Sequence, residues 1–172
     1  MEIPLGWVLH HTVRNNIPFQ PEPEMVKLLL VRGANPNQAY DGMTAWQKLF
    51  ETCAWRAEDR RIMQLFLDYG ADPNSPVPIE ENRPPRHTPL GLVVQMFSDI
   101  TDSEVATLLC TFMERGADHN LKDSFGSSVE KLARKKSSAL AAFLEHRPRQ
   151  RVSRRKNARM HLKSSYRTLC YR

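Results

Sequence analysis

Three segments of the 172-residue chain match one another closely. They are Leu29-Leu30-Val31-Arg32-Gly33-Ala34-Asn35-Pro36-Asn37, Phe66-Leu67-Asp68-Tyr69-Gly70-Ala71-Asp72-Pro73-Asn74 and Phe112-Met113-Glu114-Arg115-Gly116-Ala117-Asp118-His119-Asn120. Each holds two apolar residues, two mostly polar ones, then Gly-Ala-(Asn/Asp)-x-Asn. A glycine at that place reads as a helix end, because the left-handed backbone that closes a helix costs energy for any residue with a Cβ. The Asn or Asp that follows suits a turn. Gly33, Gly70 and Gly116, with Asn37, Asn74 and Asn120, are therefore expected to define three equivalent helix ends.

The match extends upstream. Eight and seven residues before each glycine stand Met25 and Val26, Ile62 and Met63, or Leu108 and Leu109; four and three before it stand Leu29 and Leu30, Phe66 and Leu67, or Phe112 and Met113. Apolar residues at these spacings form one stripe on a helix. Fully buried, each such side chain contributes roughly 1.5–3 kcal/mol. A lone helix of this length cannot bury them, so each must stack on a neighbour.

A second signature precedes the helices. In Asp41-Gly42-Met43-Thr44-Ala45-Trp46 a turn at Gly42 leads to Thr44, placed to cap the first helical amides. In Arg86-His87-Thr88-Pro89-Leu90-Gly91, Thr88 takes that place and Pro89 sits at the first helical position, where its missing N–H is harmless. Asp123-Ser124-Phe125-Gly126-Ser127-Ser128-Val129 is a third copy, with Gly126 in the turn and Ser128 as cap; Ile3-Pro4-Leu5-Gly6-Trp7 aligns with Thr88-Pro89-Leu90-Gly91-Leu92.

Together these residues resemble the ankyrin repeat, whose pattern is a turn and inner helix of D-x-x-G-x-T-P-L type, then an outer helix ending in L-L and G-A-D-x-N. The resemblance covers residues 3–146, with units at 3–37, 41–74 and 87–120 and a degenerate one at 123–146. It implies an all-α, ankyrin-type helix–turn–helix solenoid of three to four repeats, with hairpin-like loops projecting to one side and another protein bound on the concave face. The spacings depart from the pattern: Gly33 to Gly70 is 37 residues and Gly70 to Gly116 is 46, against about 33 in the family. The extra length falls around residues 14–21, around 99–102, and in the proline-rich 75–86. The His of T-P-L-H is absent, with Gln47, Gly91 and Lys131 in its neighbourhood, which puts its turn-bracing hydrogen bonds in question. In the last unit Val129–Lys135 and Ser138–His146 form the expected inner and outer helices, the latter using Leu140, Phe143 and Leu144. Arg147 stands where glycine should fall, as suits a terminal cap. The first unit has no such cap, and the chain is expected to be the C-terminal part of a longer repeat protein or a truncated product.

Charge divides the chain. Residues 147–172 carry ten Lys and Arg and no Asp or Glu, whereas the first 146 residues hold 15 basic and 19 acidic ones, a net of −4. The formal +6 of the whole chain therefore belongs to the tail. The bland reading of the tail is a solvated, disordered segment. The sharper one is a nucleic-acid or anionic-surface contact, or a nuclear-import signal centred on Arg154-Arg155-Lys156. Its abrupt composition change also fits read-through past a natural end. No run approaches the roughly 18 apolar residues of a membrane span. Three well-separated cysteines, Cys53, Cys110 and Cys170, suit a reducing interior, cytoplasmic or nuclear.

No catalytic, cofactor or metal motif assembles. There is no G-x-S-x-G elbow and no phosphate-binding glycine loop. His10-His11 reads as a surface or packing pair, and His119 as a turn residue. Glu58-Asp59 beside Arg60-Arg61 reads as the solvated start of an outer helix. Trp7 and Trp46 are expected to fill gaps between units, and Trp55 to be the exposed tryptophan. The contact candidates for a protein partner are Tyr40, Asp41, Trp55, Arg83, Arg86, Asp123 and Phe125. A monomer that works by binding a protein, without a cofactor and away from membranes, is expected. The alternatives are an adaptor binding nucleic acid through residues 147–172, and the regulatory end of a larger protein.

Overall fold

A computed structural model of the chain describes residues 5–14, 22–53, 55–77, 87–97 and 101–145. Its elements are α1 (Leu5–Arg14), α2 (Pro23–Val31), β1 (Ala39–Tyr40), β2 (Met43–Thr44), α3 (Ala45–Thr52), α4 (Ala57–Asp68), α5 (Pro89–Met96), α6 (Ser103–Glu114), α7 (Val129–Lys136) and α8 (Ser138–Glu145). The described chain is mostly helical. The exception is the short antiparallel ribbon of β1 and β2, in register Ala39–Thr44 and Tyr40–Met43.

The three matching segments close their helices alike. Gly33, Gly70 and Gly116 have φ of 97°, 88° and 90°. Behind each, the alanine amide reaches back to the carbonyl of Leu29, Phe66 or Phe112 at 2.9–3.0 Å, and the glycine amide to Leu30, Leu67 or Met113. This six-to-one and five-to-two pairing satisfies carbonyls that a helix end leaves open. The next side chain then folds the turn: Asn35, Asp72 and Asp118 each accept the amide two residues on at 2.9 Å.

The helix starts follow their caps. Thr44 Oγ1 accepts the Gln47 amide at 3.0 Å, Thr88 Oγ1 the Gly91 amide at 3.1 Å, and Ser128 Oγ the Lys131 amide at 3.3 Å. Gln47 also returns its Oε1 to the Thr44 amide and donates Nε2 to Pro76 O at 2.8 Å. Where the pattern's histidine is missing, a glutamine thus braces a turn 29 residues away.

Consecutive helices pair, α1 with α2, α5 with α6 and α7 with α8, and helices two apart pack together: α1 on α3, α2 on α4, α4 on α6, α5 on α7. The apolar stripes meet in one core. Trp46 lies fully buried in it, its ring 4.7 Å from Phe50, 5.8 Å from Phe66 and 6.0 Å from Phe112. In α5, Pro89 to Val94 are all buried, as suits a helix with neighbours around it. In α8, Leu140 and Leu144 are buried and Phe143 packs against the core.

Side-chain carboxamides tie one helix end to the next. Asn37 donates Nδ2 to Gly70 O at 2.7 Å and accepts the Asp72 amide on Oδ1 at 2.9 Å. Asn74 does the same to Gly116 O and the Asp118 amide, at 3.0 and 2.8 Å. Ion pairs follow the same direction. Arg115 meets Asp68 at 2.6 Å, and Arg60 reaches Glu104 at 2.8 Å and Asp102 at 3.5 Å while its guanidinium lies 5.2 Å above the Phe97 ring. Asp59, expected in solvent, is buried, with its carboxylate accepting the Arg56 amide at 2.9 Å. The start of α4 is thus closed at Asp59 and partly at Arg60, over which Asp102 and Glu104 lie, whereas Glu58 and Arg61 are exposed as expected. No helix among the described residues is long and apolar enough to cross a membrane.

Candidate functional site

Turns lead into the helices, and their geometry decides which side chains face outward. At the tip of the β1–β2 ribbon, Asp41 and Gly42 have φ of 53° and 80°. Positive φ at both central residues is the hairpin turn whose twist matches its strands, and Asp-Gly is a sequence that tolerates it. Beyond the ribbon, an antiparallel bridge joins Val77 to His87, and a third antiparallel pairing, Lys122 with Ser128, frames a turn.

The turn between Lys122 and Ser128 is held by Asp123. Its Oδ1 accepts the Phe125 amide at 2.9 Å and the Ser127 amide at 2.8 Å. One oxygen of the Asp123 carboxylate thus braces its own loop. Within this turn Phe125 faces outward: its side chain is the most exposed large apolar one among the described residues, at 63%. The ring of His87, just before α5, lies 5.6 Å from it. Lys122, at the base of the same turn as Phe125, is exposed.

The other candidates divide. Asp41 is exposed at the ribbon tip. Tyr40 is half-buried and turned toward α1: its ring is 5.9 Å from His10, and a Cβ on Gly6 would stand 3.0 Å from its hydroxyl. Trp55 corrects the sequence reading. At φ 60° its ring is directed inward, half-buried, 6.0 Å from Phe50 and 5.8 Å from Phe97. Trp7, expected to fill a gap, is instead 39% exposed and stacked on His11 with centroids 3.7 Å apart. The His11 Nδ1 is 2.9 Å from Trp7 O, and neighbouring His10 is buried. Arg83, Arg86 and the basic tail 147–172 lie outside the described residues.

The reactive groups are quiet. Burial, then the nearby Asp59 charge, pushes the Cys53 thiol up to about 12, so it is protonated at neutral pH and a poor nucleophile. Lys48 and Glu51 form an ion pair within α3, largely closed from solvent. Among the described residues no group of three His, Cys, Asp or Glu side chains is placed to hold a metal ion. What the turns present is an exposed aromatic ring, an imidazole 5.6 Å from it and an exposed lysine at the base of the same turn.

Asn37 and Asn74 were singled out by their fixed place four residues after each glycine, but their bonds to the following helix end were not; the outward side of α2, where Met25, Leu28 and Val31 are about half-exposed, was missed. No protein-family model matches the chain, and no curated protein matches it significantly.

Proposed function

We propose that this chain is an ankyrin-type repeat module that binds another protein through its projecting turns and acts without chemistry of its own. The observation that carries the reading is the Asn ladder, in which Asn37 and Asn74 each bond to the Gly-Ala-Asp turn of the following helix. A side chain conserved in place and in bonding from one helix end to the next is what a stack of equivalent units needs, since each unit must orient its neighbour. Such a frame supports the turns and leaves them free to vary, and binding residues concentrate on rigidly held loops. Phe125 is the proposed anchor, because an exposed aromatic ring adds large contact area at little entropic cost. His87 near it and Lys122 at the base of its turn suit a partner surface that offers an apolar pocket rimmed by acidic groups.

The charge division supports a second reading, in which the tail holds nucleic acid and the helical body recruits a protein. Ten basic residues without an acidic one in 147–172 is the composition such contacts use. Both readings suit a reducing compartment, cytoplasmic or nuclear. Deleting 147–172 separates them. Under the first, partner capture from the native cell extract is unchanged by the deletion. Under the second, a salt-sensitive retention of nucleic acid disappears with the tail. Loss of all protein capture on deletion would reject the first.

A further inference from the structure

Equivalent places in successive helices are closed in two cases and open in the third. Eight residues before the helix-ending glycine stand Met25 in α2, Ile62 in α4 and Leu108 in α6. Ile62 and Leu108 are fully buried, and Met25 is 49% exposed. The difference follows the packing, since α2 lies against α4 and α4 against α6. The partner helices repeat the contrast: Leu5 of α1 is 39% exposed, whereas Trp46 and Leu90, at the same place after their caps, are at 0% and 1%. The first helix pair therefore leaves open, at Leu5 and Met25, apolar places that the later pairs bury, and along α2 the opening continues into exposed Leu28 and Val31.

We propose that a second copy of this chain covers that face, in a symmetric dimer. Two observations select this occupant. First, the outward stripe of α2 is laid out symmetrically about Leu28: Met25 stands three residues before it and Val31 three after, with Glu24 four before and Arg32 four after, all exposed. Two α2 helices crossing antiparallel at Leu28 bring Leu28 onto its own copy, Met25 onto the second copy's Val31, and Glu24 opposite the second copy's Arg32. The symmetry axis makes each of the last two contacts twice, so the surface is complementary to itself in shape class and in charge. Second, the far end of the described chain cannot fill the same place. There α7, which by the pairing of α5 with α7 would meet α1, exposes Lys131, Arg134, Lys135 and Lys136, a charged surface that would be desolvated against Leu5 and Trp7. Head-to-tail stacking is thereby disfavoured, and the face-to-face arrangement closes on itself. The Glu24–Lys27 pair within α2, at 3.9 Å and largely exposed, is weak and does not compete.

Sedimentation equilibrium and light scattering on the full chain test this. The expected mass is twice 19.9 kDa. Leu28→Glu should yield a monomer with unchanged circular dichroism, because the side chain already points outward. Glu24→Arg and Arg32→Glu should each weaken association by about tenfold or more, and the double variant E24R/R32E should recover most of the loss. A wild-type monomer at every concentration overturns the proposal, including one whose face is covered instead by an added protein of another kind. A dimer indifferent to Leu28→Glu overturns it too, as does a double variant no better than the singles.

Discussion

The Asn37 carboxamide holds both sides of the turn at Asp72: its Nδ2 donates to Gly70 O at 2.7 Å, and its Oδ1 accepts the Asp72 amide at 2.9 Å. An amide side chain suits this task because it carries a donor and an acceptor side by side, matching a backbone carbonyl and N–H. Asn74 repeats the contact on Asp118. Asn120, at the third equivalent place, has only the His119 Nε2 at 3.4 Å as side-chain partner among the described residues. Replacing Asn37 or Asn74 by Ala should therefore cost about 1–3 kcal/mol, and Asn120→Ala clearly less. Urea melts of the three variants check this; equal losses would remove the ladder from the account.

Two glycines should fail for different reasons. Gly70 has φ 88° and open space around a hypothetical Cβ, so Gly70→Ala should cost only the backbone strain of a left-handed residue, roughly 1–2 kcal/mol. A Cβ on Gly91 would instead stand 2.8 Å from Thr88 Oγ1, the cap of α5. Gly91→Ala should displace that cap, which alone is worth about 0.5–2 kcal/mol, and disturb a buried helix besides. Prior removal of the cap with Thr88→Ala should lessen the Gly91→Ala cost. Denaturation of both singles and the double variant gives the coupling, and strict additivity would contradict the stated cause.

Cys53 gives a pH signature. Its thiol is raised from 9.0 to about 12, so the protonated form belongs to the folded state. The associated stability is complete below pH 9.0 and is lost as pH rises from there through about 12, because the unfolded chain releases the proton first. Wild type should thus lose stability relative to Cys53→Ala over that window. Iodoacetamide at neutral pH should label Cys53 in the unfolded chain far faster than in the folded one. Equal labelling rates would refute the closed thiol.

The tryptophans offer a third contrast. Trp46→Ala empties the centre of the core and should cost about 3–5 kcal/mol. Trp7→Ala removes a partly exposed ring and should cost at most about 1 kcal/mol. The reverse order would contradict the packing described.

What could be read in the sequence was local. Gly33, Gly70 and Gly116 announce helix ends because the backbone there excludes other residues, and Thr44, Thr88 and Ser128 announce helix starts because their oxygens fit open amides. What depends on a distant neighbour was not readable. Trp55 and Trp7 exchange their expected exposures because Phe97 covers the one while no described element closes over the other. The partners of each ladder Asn lie 33 to 44 residues away. On the candidate surface, the exposure of Phe125 was legible from its place in a turn, whereas the hydrogen bonds that Asp123 Oδ1 makes within that turn were not.

Binding by the projecting turns is most directly tested with Phe125→Asp, whose fold should be unchanged because the ring is 63% exposed. Quantitative affinity capture from the native cell extract, comparing wild type, Phe125→Asp and the chain lacking 147–172, is the measurement. A specific protein enriched by wild type and by the shortened chain, and lost or weakened at least about tenfold with folded Phe125→Asp, is the predicted result. Capture that ignores Phe125→Asp but vanishes with the tail would contradict the account.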